Sequence, residues 1–111
     1  MTTSSVYVRD GELIVGVQQA LATLQEAMES DEWDRISELN QSLHAAISQA
    51  VEGVATAEAQ QALRLLLEQC QAFYGELIQR GTQYRDGLAK EIQATKRGVS
   101  AANAYLKTSI G

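Results

Sequence analysis

With 111 residues, no proline, six aromatic side chains and 45% hydrophobic content, the chain supports one modest core and poorly suits a sheet-rich fold. Its net charge of −5 is unevenly spread: residues 1–55 carry nine acids and two bases, residues 56–111 five acids and seven bases. That split favours packing of one half against the other, or docking to a protein partner. It lacks the clustered Lys and Arg that nucleic-acid binding requires.

Leu13 to Val17 is too short for a secretory signal or a membrane span, which predicts a cytoplasmic chain with no membrane insertion. Residues 1–9 show no helical period and are expected to be flexible. Asp10 can cap a first helix over residues 10–29, whose apolar side reads Leu13, Val17, Leu21, Leu24 and Met28. Ser30 or Asp31 then caps a second helix over 31–52, with Trp33 closing the corner. Its stripe reads Trp33, Ile36, Leu39 or Asn40, Leu43, Ile47 and Ala50. The short connection makes these two helices antiparallel neighbours. Gly53 ends the second helix and Thr56 caps the next.

From Thr56 onward Leu63, Leu67, Cys70, Tyr74, Leu77, Gly81, Tyr84 and Leu88 alternate steps of four and three, the spacing of one stripe on a long helix. Gly75, Gly81, Gly87 and Gly98 fall within the run, each costing up to about 1 kcal/mol relative to alanine. A straight helix of about 50 residues would span roughly 75 Å, more than the first two helices can cover. Lys96-Arg97-Gly98 has the form of a helix C-terminus, which predicts a third helix over 57–96 and a short fourth over 100–107 capped by Ser100. The expected fold is all-α: one domain, an antiparallel three-helix hairpin bundle with a long third helix and a short C-terminal fourth. Val99, Tyr105, Leu106 and Ile110 make the last segment either a permanent part of the core or a cover over a groove.

Catalytic constellations are missing. His44 is the only histidine, and Gln41 stands where a helical Glu-x-x-His iron motif needs glutamate. Cys70 lies on the stripe and reads as a small buried hydrophobe. The Gly81–Lys90 stretch lacks the spacing of a phosphate loop, and Glu29, Asp31, Glu32 and Asp34 lack that of a calcium loop. No enzyme activity, metal or cofactor is expected.

Several segments together point to a family: Leu21-Ala22-Thr23-Leu24, the acid-flanked corner Asp31-Glu32-Trp33-Asp34, Leu63-Arg64-Leu65-Leu66-Leu67, the Gln- and Arg-rich stretch from Leu77 to Leu88, and the tail Ala101-Ala102-Asn103-Ala104-Tyr105. The chain resembles a flagellar export chaperone of the FliT type, a small helical chaperone of type III secretion. The resemblance implies a cytoplasmic protein that binds the C-terminal helical segment of the filament-cap protein, prevents its premature assembly and escorts it to the export apparatus. It also implies that a C-terminal helix covers the binding surface. Transferred by position, the cover is Ser100 to Leu106, released at Gly98 and anchored by Tyr105 and Leu106. The groove beneath is then expected at Ile36, Leu43, Leu77, Tyr84 and Leu88. A monomer or weak homodimer is expected. The alternatives are a chaperone for hook-filament junction proteins and a self-associating coiled coil built on Leu63 to Leu88.

Overall fold

Four α-helices form the chain: α1 (Thr2–Glu29), α2 (Trp33–Gly53), α3 (Ala57–Gly81) and α4 (Asp86–Ile110). They are seen in a computed structural model that describes the backbone of residues 2–81 and 86–110 and the side chains of 9–80 and 87–108. No strand occurs among the described residues. The helices run up-down-up-down in a body of 50 × 25 × 16 Å. α1 pairs with α2 and α3 with α4; the two hairpins then pack together through α1 on α3 and α2 on α4. One continuous interior results, filled by Val17, Leu24, Ile36, Leu43, Leu67 and Ile92 among others.

The α1–α2 corner forms because α1 ends in a left-handed residue. Asp31 has φ 56°; its N–H donates to the Met28 carbonyl at 3.2 Å, and the Glu32 N–H reaches back to Ala27 at 2.9 Å. This is the Schellman arrangement with aspartate in the usual place of glycine. Ser30 and Asp31 therefore terminate α1 instead of capping α2, whose N-cap is Glu32 without a side-chain cap bond. Trp33, buried as the first residue of α2, closes this end of the bundle as expected.

At the other end, Thr56 caps α3: its hydroxyl oxygen accepts the Ala59 N–H at 3.1 Å. Asp10 does not start α1. The helix already runs from Thr2, since extending a nucleated helix gains a hydrogen bond per residue without a second nucleation cost. The Asp10 carboxylate, only 3% exposed, instead reaches across to the α2–α3 turn. It accepts the Ala55 and Thr56 N–H groups at 3.0 Å each and the Thr56 hydroxyl at 2.7 Å.

The long third helix is corrected. α3 stops at Gly81, after Arg80 in its last turn, and α4 returns antiparallel to it, with Gln71 Nε2 donating to Ser100 Oγ at 3.0 Å. Folding back lets Leu88, Ile92, Val99 and Leu106 bury against the other helices, which a straight continuation would leave in water. Gly98 does not end a helix, and no separate 100–107 helix exists; both lie inside α4. The seam from Leu63 to Leu77 is buried within one chain, so the self-pairing coiled coil loses its contact surface.

Candidate functional site

α4 seats on α2 and α3 unevenly along its length. Its N-terminal half buries Leu88, Ile92 and Val99 and is bonded to α2 through a polar chain. The Ser37 hydroxyl donates to the Glu91 carboxylate at 2.9 Å, and Asn40 Nδ2 donates to Thr95 Oγ1 at 3.0 Å. Thr95 in turn donates to the Glu91 carbonyl at 3.1 Å, and the Tyr74 hydroxyl of α3 donates to Asn40 Oδ1 at 2.7 Å. Both amide atoms of the buried Asn40 are thus satisfied, and three helices are tied in one register. Burial, with the Cys70 sulfur beside it, pushes the Tyr74 phenol well above its ordinary range, so it stays a hydrogen-bond donor. Burial also pushes the Cys70 thiol up to about 12, which keeps it protonated and unreactive at neutral pH.

Beyond Val99 the seat becomes thin. Leu106, 1% exposed, is the one large side chain buried there among the described residues, while Ala101, Ala104, Tyr105 and Lys107 face out. Two enclosed polar atoms at this end, Arg64 Nε and Asn103 Oδ1, have no hydrogen-bond partner among the described residues. Each such orphan costs about 1–3 kcal/mol. Next to it, α2 and α4 part slightly around His44, Ser48, Val51, Gly98 and Ala102. His44 is exposed, and no group of three or more His, Cys, Asp or Glu among the described residues could hold a metal.

The expected groove residues Ile36, Leu43, Leu77 and Leu88 are all buried in the bundle interior, and Tyr84 lies outside the described residues. They do not sit together under the expected cover. Ser37 is level with Glu91 and His44 with Gly98, so Ile36, Leu77 and Leu88 belong to the end held by the polar chain. Leu43 is near the middle. In the register set by Gln71 and Ser100, Leu106 lies level with Leu63 to Leu67 of α3. Ile47 of α2 borders the same end. The apolar surface beneath Ser100 to Leu106 is therefore Ile47, Leu63 and Leu67, which sequence reasoning placed only in the general core. Of the expected anchors, Leu106 is inserted; Tyr105, 61% exposed, is not. Gly98 is exposed but faces His44 of α2, two residues before the thin part begins.

No helix among the described residues is long and apolar enough to cross a membrane. Comparison with curated proteins and with solved structures gave no match. Residues 12–107 match the family described as Flagellar protein FliT, a span that takes in α1 from its first inward-facing leucine through Lys107 of α4. With a match over most of its length and an all-helical bundle to carry it, the chain belongs to the FliT family of flagellar export chaperones.

Proposed function

We propose that this chaperone works in the cytoplasm, where it holds the C-terminal helical segment of the filament-cap protein, prevents premature assembly and delivers it to the export apparatus. The observation that carries the reading is the uneven seat of α4: past Val99, among the described residues up to Thr108, Leu106 is the one large side chain that is buried, with partly buried Ala102 and the Gln71–Ser100 hydrogen bond beside it. Burying one leucine is worth about 1.5–3 kcal/mol, within reach of a client helix that brings several apolar side chains. Release of Ser100 to Leu106 would uncover Ile47, Leu63 and Leu67 as the berth, with Leu43 at its inner edge. Ile36, Leu77 and Leu88 would join it only if the whole of α4 left. The intramolecular helix competes with the client, so apparent affinity falls by the fraction of time the berth is closed.

The test is calorimetric titration of the full chain, and of a chain ending at Ser100, with a peptide of the cap protein's C-terminal segment. Ending at Ser100 keeps the buried Val99 in place. The shortened chain is expected to keep its helical circular dichroism and to bind about tenfold or more tightly, the gain set by how often the berth is closed. Unchanged affinity in a folded, shortened chain would overturn the cover. Preference for a hook-filament junction peptide would overturn the client.

A further inference from the structure

On the side of the bundle opposite the α2–α4 seat, α1 and α3 lie parallel and leave a shallow trough. Gln18 and Gln25 of α1 and Gln69 of α3 line it, with Leu21, Leu65 and Leu66 as its apolar floor and wall. At about 250 Å³ it is an open trough for side chains, not a pocket enclosing a small molecule, for which volumes run ~300–1,000 Å³. Exposed Ala22 lies one turn beyond Gln18, and exposed Ala72 two turns beyond Leu65. No charged residue interrupts α1 between Gln18 and Gln25. On α3 the trough-side positions Ala62, Leu65, Gln69 and Ala72 are likewise uncharged. Leu65 is 53% exposed and Val15, on the outer flank of α1, 45%, two of the three exposed large apolar side chains among the described residues.

The borders of this neutral strip are acidic. Glu26 and Glu29 stand at its α1 end and flank, and Glu58, Glu68 and Glu76 along α3, all exposed. Arg64, beside Leu65, is half-buried with its guanidinium donating to Gln61 at 3.4 Å, and Arg80 lies two turns beyond Ala72 and is engaged by Glu76 at 3.3 Å. We propose that the α1–α3 trough is a second docking surface, for an amphipathic helix of a protein partner whose apolar stripe is flanked by Lys and Arg. Charge complementarity selects that occupant: an apolar stripe fills the Leu65 strip while its basic flanks meet the glutamates. A second copy of this chain through the same face would set acidic border against acidic border. The surface is open while α4 is seated, so it goes beyond the client berth and is available in the covered state.

The probe is a designed helical peptide of about 18 residues, leucines on one stripe and lysines on its flanks, with a control carrying glutamate for lysine. Titrated into isotope-labelled full-length chain, the lysine peptide is expected to shift the amide signals of Gln18, Gln25, Leu65 and Gln69 and leave α2 and α4 unmoved. Leu65→Glu, at an exposed position, should weaken it at least tenfold. The paired change Glu58→Gln and Glu68→Gln should weaken it about threefold and flatten its salt dependence. A chain ending at Ser100 should bind it unchanged, which separates this surface from the client berth. Equal binding of the glutamate peptide, signal shifts confined to α2 and α4, indifference to Leu65→Glu, or a dimer abolished by Leu65→Glu in light scattering would each overturn the proposal.

Discussion

Asp10 carries three hydrogen bonds from the α2–α3 turn, so replacing it with alanine leaves two backbone N–H groups and the Thr56 hydroxyl without an acceptor. Asp10→Ala is expected to cost about 2–3 kcal/mol, read as a melting temperature lower by about 10 °C at pH 7. Burial alone would raise this carboxyl's pKa; the Thr56 hydroxyl, the Ala55 and Thr56 N–H groups and neighbouring Arg9 outweigh it, and the net shift is downward from 3.8. A depressed folded value means that the stabilisation is complete above the unfolded pKa and is lost as pH falls through the folded one. The difference between wild type and Asp10→Ala should therefore hold from neutrality to about pH 5 and shrink on acidification below 3.8. At the core, Asn40→Leu strands the buried Tyr74 hydroxyl and should cost about 1–3 kcal/mol, part of which Tyr74→Phe restores in the double variant. A thermodynamic cycle over the four proteins measures that coupling. Asp10 was misread from the sequence because an acid ahead of an amphipathic run is the signature of a cap. Its inward position was nonetheless visible, since it stands two turns before Val17 on the side that carries Val17, Leu21, Leu24 and Met28.

Among the elements, α1 from residue 10 onward, α2 and the start of α3 were legible from their apolar stripes, whereas residues 2–9, expected to be flexible, extend α1, and neither Asp10 nor Ser30 or Asp31 serves as the expected cap. Trp33, Gly53 and Thr56 all stand where the structure uses them. The reversal after α3 was not. Arg80-Gly81 and Arg97-Gly98 are the same C-terminal signature, and the three-and-four spacing continues in phase through Tyr84 to Leu88, so pattern alone could not choose between them. Tertiary burial chose Gly81, because only a return there covers Leu88, Ile92 and Val99. Gly98 then sits mid-helix, and a β-carbon there would meet His44 Cε1 at an ordinary 3.6 Å. Gly98→Ala should stabilise the chain by about 0.5–1 kcal/mol in denaturant unfolding. At the α1 terminus Asp31, with φ 56°, occupies the left-handed position that glycine adopts without strain. Asp31→Gly should be neutral or stabilising by up to about 1 kcal/mol, and Asp31→Val should destabilise by more than that.

For the whole molecule, the uneven charge of the two halves becomes a geometric fact: the acidic half forms the α1–α2 hairpin and the mildly basic half the α3–α4 hairpin packed on it. The candidate site was legible only in outline. Of the terminal residues the sequence singled out, Leu106 is buried and Tyr105 is exposed, and the residues beneath the segment depend on the register of α4. That register is set by Ser37–Glu91, Asn40–Thr95 and Gln71–Ser100, pairings between positions 29 to 55 residues apart that no local pattern encodes. One helix thus has two strengths: a well-buried half locked by the Ser37–Glu91 and Asn40–Thr95 bonds, and a half held by Leu106, Ala102 and the Gln71–Ser100 bond. Amide hydrogen exchange along α4, in the free chain and with the cap-protein peptide bound, tests this division most directly. The account predicts that Ser100 to Thr108 exchange faster than Leu88 to Lys96 in the free chain and lose protection further on binding, while Leu88 to Lys96 stay protected. Uniform protection along α4, unchanged by the peptide, would contradict it.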